Sequence, residues 1–321
     1  MKKYIIKRLL WSVVILFIVS FLIYALMRCL PTSYLEQIAR QKSQQPGSKT
    51  FDEWMQQLSA TYGMDKGIIP GFASWLSKAV RLDFGDSWKY TVPVTQKFAQ
   101  VVGISFWMSL IVMVLEILIS IPLGIIAATK QYSTADNVIS VIALAGISLP
   151  TFFIASLLKL IFSVNLKWFD LNGLIGRNHD FLSPMGQRWD IAMHLVLPIM
   201  TLTIARVGAY MLEVLNSDYI RTARAKGLSE RRVIYHHAFR NTLITLVTLW
   251  GTSLPGLFSG AMITEQLFSI PGIGYTSYQA MVSGDIPFSM FYLVFIGILT
   301  LIGNLLTDIL YAVVDPRVRI E

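Results

Sequence analysis

Six stretches of this chain are each long and apolar enough to cross a bilayer. They run over Leu9–Met27, Val101–Thr129, Val138–Leu158, Ile191–Leu212, Asn241–Thr264 and Ile286–Thr307. A helix needs about 20 residues to traverse a hydrocarbon core ~30 Å thick. Lipid offers nothing to a backbone N–H or C=O, so each stretch must satisfy its own polar groups as a helix. The expectation is an all-α, polytopic membrane protein with six transmembrane helices. Composition points the same way: 54% of the residues are hydrophobic and 14% are charged, against about 25% charged in soluble domains. Apolar content this high excludes intrinsic disorder. Cys29 is the single cysteine, which excludes a disulfide scaffold.

Charge sets the expected orientation. The chain carries 27 Lys+Arg against 19 Asp+Glu, a formal net charge of +8. Basic residues collect on the cytoplasmic side of membrane proteins, so the excess reads as topological and not as a nucleic-acid surface. Lys2, Lys3, Lys7 and Arg8 precede the first span. Arg221, Arg224, Lys226, Arg231, Arg232 and Arg240 lie between spans four and five, and residues 265–285 carry no Lys or Arg. With six spans both termini share a side, and that side is expected to be the cytoplasm. A signal peptide is the competing reading of the N-terminus. Its apolar run is long for that purpose, and Arg28 and Cys29 stand where a small-residue cleavage site belongs. A retained first span is the expectation.

Three regions follow. Residues 1–29 form a cytoplasmic stub with the first span, residues 30–97 an extracytoplasmic insertion, and residues 98–321 a core with a long cytoplasmic loop at 213–241. In the insertion, Phe51, Trp54, Met55 and Leu58 recur at helical spacing. Trp75, Leu76, Val80 and Leu82 suggest a second helix near the membrane interface. A partly ordered loop is the alternative.

Spans two to five each hold a proline: Pro122, Pro150, Pro198 and Pro255. Proline removes an i→i−4 hydrogen bond and kinks a helix. Either these spans line a moving path, or this is ordinary proline usage in membrane helices. Two charges are embedded as well. Glu116 lies in span two and Arg206 in span four. A charge at the bilayer centre costs at least ~2.5 kcal/mol, so it should face protein or water. Arg206 and Lys159 are the candidate partners of Glu116. The set reads either as a structural pair or as the thin proton relay of a secondary transporter. Glu116, Pro150, Arg206 and Pro255 are the candidate path residues.

Several chemistries are missing from the sequence. It has no G-x-x-x-x-G-K-[ST] phosphate loop, no H-E-x-x-H, and no Cys/His run at metal-ligand spacing. Gly103 and Ser105 do not make a G-x-S-x-G elbow. No catalytic residue, bound cofactor or metal is expected.

The most informative segment is Tyr210–Asn241, YMLEVLNSDYIRTARAKGLSERRVIYHHAFRN. Ser217 or Asp218 can cap a short helix from about Tyr219 to Lys226, and Gly227 stops it. Ser229 can cap a second helix at Glu230. Arg221 and Arg224 share one face of the first helix, and Thr222 and Lys226 another. A bare positive-inside stripe explains the sign of the charge but not the succession of cap, helix, glycine and cap. A nucleic-acid helix-turn-helix has no other soluble support here.

This loop resembles the E-A-A-x-x-x-G loop of importer permeases of the ATP-binding cassette class. Arg221, Thr222 and Ala223 stand at its start and Gly227 at its end. Arg-Thr in place of Glu-Ala is similar to the dipeptide/oligopeptide subfamily, whose loop reads close to DYIRTARAKGL, as residues 218–228 do. The resemblance extends to LDFGDS at Leu82–Ser87, Pro93–Val94, IPLGIIAA at Ile121–Ala128, EQLFSIPGIG at Glu265–Gly274 and VDPRVR at Val314–Arg319.

The resemblance implies a type I importer permease fold with a small helical extracytoplasmic insertion, set in a bacterial cytoplasmic membrane. Its partners would be a second homologous permease in a heterodimer, two cytoplasmic ATPase subunits that bind ATP and Mg, an extracytoplasmic solute-binding protein, and lipid. Asp218, Tyr219, Arg221, Thr222, Ala223, Arg224, Lys226, Gly227 and Leu228 would form the helix that couples to the ATPases. The turn holding Pro271, Gly272 and Gly274 would help close the outer side. Short peptides are the implied cargo; nickel, glutathione or short oligosaccharides are the alternatives within the same machinery. A proton-coupled secondary transporter and an intramembrane enzyme are the rivals from other classes.

Overall fold

The computed structural model describes residues 2–29, 34–61, 63–130, 132–215 and 253–314. Among these, every regular element is helical. The order is α1 (Lys2–Cys29), α2 (Tyr34–Ser43), α3 (Phe51–Thr61), α4 (Ile68–Ala79), α5 (Val94–Thr129), α6 (Thr134–Ser148) and α7 (Thr151–Leu158). A π-helical turn (Lys159–Asn165) continues α7. Then come α8 (Pro184–Leu215), a helical stretch at residues 253–259, α9 (Met262–Phe268), α10 (Ile273–Val282) and α11 (Ile286–Val314).

Four of these helices, α1, α5, α8 and α11, are long and apolar enough to cross a membrane, and α6 with α7 makes a fifth if counted as one broken span. The chain is a multi-pass, all-helical membrane protein. One of the six expected spans takes a different form, and another is described only at its end. The third, expected as Val138–Leu158, is bent by 105° between α6 and α7. Pro150 is the cause. Its φ is −59°, it stands as the N-cap of α7, and Leu149 before it is extended at φ −85°, ψ 127°, the conformation a following proline imposes. The fifth, expected as Asn241–Thr264, falls outside the described residues up to position 252. Its described remainder is interrupted at Gly260, whose φ of +71° is left-handed, before α9 begins. Pro122 and Pro198, by contrast, lie inside continuous helices.

The chain divides into two compact units. The first comprises Met1–Val102 and Thr276–Leu305. Its core holds Tyr24, Leu35, Leu58, Phe72, Trp88, Ile286, Met290 and Val294. Phe72 of α4 meets Phe17 and Phe21 of α1 edge to face and stacks on Trp75. A β-carbon on Gly71 would fall on the Tyr24 hydroxyl, so α1 and α4 approach closely there. Arg28, at the end of α1, donates to the carbonyls of Met64 (3.0 Å) and Lys66 (2.5 Å). Helix α3 opens with a capping box, T-x-x-E. Thr50 N–H donates to Glu53 (2.8 Å) and Glu53 N–H to the Thr50 hydroxyl (3.4 Å). The Thr50 N–H is the main reason the Glu53 carboxyl sits below its ordinary value. The second expected helix of this region, α4, ends at Ala79. Leu82 lies beyond it with a left-handed φ of 62°, in the turn that opens LDFGDS.

The second unit comprises Gly103–Tyr275 and Leu306–Ile320. α6 lies along α8, with Ala127, Ala143, Ile139 and Val207 buried together. Small side chains let membrane helices approach without a hydrophobic driving force. α7, α8 and α9 share a second core of Ile154, Ala155, Leu158, Leu197, Phe268 and Ile270.

Candidate functional site

The turn from Gly260 to Tyr275 is built around one buried carboxylate. Glu265 is fully buried. Burying an ionisable group is costly unless its hydrogen bonds are satisfied. Here Oε1 accepts from the Ser105 hydroxyl (2.7 Å) and from Ala261 N–H (3.1 Å), and Oε2 accepts from Tyr275 N–H (2.8 Å). Ser105 Oγ in turn accepts from Ile273 N–H (2.8 Å). One side chain therefore ties together α5, the start of α9 and the start of α10.

Glycine makes that wrapping possible. A β-carbon on Gly272 would overlap the Ser105 hydroxyl and lie 2.5 Å from Glu265 Oε2. One on Gly274 would lie 2.8 Å from Met262 N. Gly260 combines its positive φ with a backbone approach to Gly274 that leaves no room for a side chain. The sequence P-G-I-G is thus a chain packed directly against a carboxylate.

The C-terminal end of α9 is equally accounted for. Ser269 takes the left-handed position at φ 54°. Ile270 N–H reaches Glu265 O (2.9 Å) and Ser269 N–H reaches Gln266 O (3.3 Å), the paired bonds of a Schellman motif. The Lys159 ammonium donates to Leu267 O (2.7 Å), and Gly173 N–H donates to Phe268 O (2.8 Å). A cation at a helix C-terminus also complements the helix dipole. Lys159, a candidate partner of Glu116 by sequence, is placed here instead, where it also donates to Asn172 Oδ1 (2.8 Å).

Glu116 and Arg206 do come to one place. With Met113, Ser253, Gly256 and Leu257 they line a cavity of about 270 Å³. Glu116 is buried and Arg206 half-buried. Pro255 lies in the helical stretch beside this cavity, whereas Pro150 marks the α6–α7 bend and Pro271, Gly272 and Gly274 belong to the turn around Glu265. The residues expected to couple to an ATPase, Asp218 to Leu228, lie outside the described residues.

The first unit holds a comparable node. Asp285, fully buried, accepts from the Ser87 hydroxyl, from Lys89 N–H (3.2 Å), and through Oδ1 from Phe288 N–H (3.2 Å) in the first turn of α11. The Lys89 ammonium reaches Gln279 O (3.0 Å) and Oε1 (3.1 Å), and its burial holds it below the ordinary lysine value. Tyr90 donates to Thr276 O (3.1 Å). The LDFGDS segment is in this way fastened to the α10–α11 junction.

Glu265 and Ser87 lie inside the motifs EQLFSIPGIG and LDFGDS, and Ser105 inside an apolar span, where residue type alone assigns them no role. The available signal was an acid two turns before a glycine-rich bend. Among the described residues, no group of three or more His, Cys, Asp or Glu is placed to hold a metal ion.

Residues 120–320 match the family model described as a binding-protein-dependent transport system inner membrane component. The chain is 33% identical to the oligopeptide transport system permease protein AppB of Bacillus subtilis, over 99% of this chain and 100% of the relative. It is 34% identical to the oligopeptide transport system permease protein OppB of Mycobacterium bovis, over the full length of both.

Proposed function

The chain belongs to the family of binding-protein-dependent transport system inner membrane components, and from that membership we propose that it is one permease subunit of an ATP-driven importer of short peptides. The observation that carries the cargo is the end-to-end similarity to relatives named as oligopeptide permeases. The chain has no phosphate-binding loop of its own, so ATP and Mg belong to two cytoplasmic ATPase subunits. A second permease completes the pathway, and a solute-binding protein delivers the peptide from outside.

In this reading both termini and the 213–241 loop face the cytoplasm. Asp218, Tyr219, Arg221, Thr222, Ala223, Arg224, Lys226, Gly227 and Leu228 form the helix that fits a groove on an ATPase subunit. Ala223 and Gly227 allow close approach because neither has a bulky side chain. The turn around Glu265 sits at the outer end. Its density of backbone bonds to one carboxylate suits an element that must keep its shape while the spans move. The Glu116–Arg206 cavity is the polar part of the path.

The test is Gly227→Trp in the assembled transporter. Uptake of a labelled tripeptide into vesicles should fall at least tenfold while the complex still inserts and the ATPase subunits still hydrolyse ATP. Unchanged uptake overturns the docking role. Purification of the chain without ATPase subunits, with uptake driven by an ion gradient alone, overturns the importer reading itself.

A further inference from the structure

Residues 166–183 connect the π-helical turn to α8 and, with the first turns of α8, enclose a pocket of about 260 Å³. Trp168, Phe169 and Trp189 line it, together with Asp170, Asp190 and His194. The His194 side chain is 4% exposed. Its Nδ1 lies 2.8 Å from the backbone carbonyl oxygen of Asp190. A carbonyl only accepts, so Nδ1 carries the proton, and in the neutral ring Nε2 is an acceptor.

That acceptor is buried and makes no hydrogen bond to the protein. The charged group nearest to it is Asp170, whose Oδ2 stands 3.2 Å away and is an acceptor as well. With the ring neutral, two acceptors face one another with no donor between them. The second carboxylate is already engaged: Asp190 Oδ2 accepts from Gly176 N–H (2.9 Å) and lies 2.6 Å from His179 Nδ1, and its Oδ1 lies 3.4 Å from His194 Nδ1. The open valences are therefore His194 Nε2 at the back of the pocket and the Asp170 carboxylate, 68% exposed, at its mouth.

A primary ammonium group supplies what is missing. It brings three N–H donors and a positive charge, and aromatic faces attract such a cation when it lies within ~6 Å of a ring centroid. We propose that this pocket binds a primary ammonium group, with His194 Nε2 and Asp170 accepting its protons and the rings of Trp168, Phe169 and Trp189 forming its walls. Two molecules present that chemistry at such a place: the N-terminus of a peptide and the ethanolamine headgroup of a lipid. The peptide source rests on the importer reading above; the chemistry of the pocket does not.

The test uses the full chain, labelled with 5-fluorotryptophan, in nanodiscs of phosphatidylcholine and phosphatidylglycerol. The Trp168 and Trp189 resonances are assigned with Trp168→Phe and Trp189→Phe. Ethylammonium should shift both resonances saturably, ethanol should shift neither, and Asp170→Asn should weaken the apparent affinity at least tenfold. Asp170 is exposed, so this substitution leaves the fold intact. A lack of any ammonium-specific shift overturns the proposal. Titration of Asp170→Asn with unchanged affinity overturns it equally. Two further arms distinguish the sources. Shifts on adding phosphatidylethanolamine to the nanodiscs uphold the proposal with a headgroup as occupant. Shifts with trialanine but not N-acetyl-trialanine uphold it with a peptide end. None of these measurements needs ATP or a partner subunit, so the pocket and the importer reading can fail separately.

Discussion

Ser105 donates to Glu265 at 2.7 Å and accepts from Ile273 N–H at 2.8 Å, so a single hydroxyl on α5 serves the carboxylate and the chain that wraps it. Ser105→Ala removes both bonds at once. It leaves Ile273 N–H without this acceptor and Glu265 Oε1 with one donor fewer. Each buried group left unsatisfied costs about 1–3 kcal/mol. The purified chain should lose stability by that order, read as a lower midpoint in thermal unfolding. A midpoint equal to the wild type would show that the node is not held by Ser105.

Gly272→Ala tests the same node from the other side. The added β-carbon would lie 2.5 Å from Glu265 Oε2, and overpacking of this kind costs about 1–3 kcal/mol. Gly103→Ala is the control. Nothing lies within 4 Å of its β-carbon position, and alanine is favoured over glycine in a helix by about 0.5–1 kcal/mol. The two glycines should respond with opposite signs in the same unfolding assay. Equal responses would mean that Gly272 is not packed as described.

These two glycines also mark what the sequence could and could not reveal. The long helices were legible because apolar length alone specifies a span, and α3 was legible from Phe51, Trp54, Met55 and Leu58. The 105° break at Pro150 was not, because proline is tolerated within α5 and α8 and breaks the path only where Leu149 turns extended. Glu265 was illegible for a different reason. Its donors are the backbone N–H groups of Ala261 and Tyr275 and one serine 160 positions away, and backbone donors leave no trace in residue type. That Glu116 and Arg206 line one cavity agrees with their rarity in apolar spans. The placing of Lys159 was not legible, since a carbonyl partner such as Leu267 O is invisible in sequence.

Asp285→Ala should loosen the LDFGDS segment. The aspartate caps the first turn of α11 through Phe288 N–H and holds Ser87 and Lys89 N–H. Loss of an N-cap costs about 0.5–2 kcal/mol, and here the segment loses its anchor as well. Limited tryptic digestion should cut after Arg81 and Lys89 several-fold faster than in the wild type, with cleavage after Lys66 little changed. Uniform acceleration at all three sites would indicate global unfolding and not a local release.

Glu116→Gln separates the importer from the proton-coupled rival. The carboxylate lines the same cavity as Arg206, Ser253 and Gly256. If this cavity is part of a path driven by ATPase subunits, a neutral isostere changes the cargo's environment but not the energy source. Peptide uptake by the assembled transporter should fall, by about tenfold or less, and should continue to require ATP. Added protonophore should leave both wild-type and Glu116→Gln uptake unchanged while internal ATP is held constant. A proton relay predicts the reverse. Wild-type uptake would collapse with protonophore, and the glutamine, which cannot release a proton, would abolish uptake.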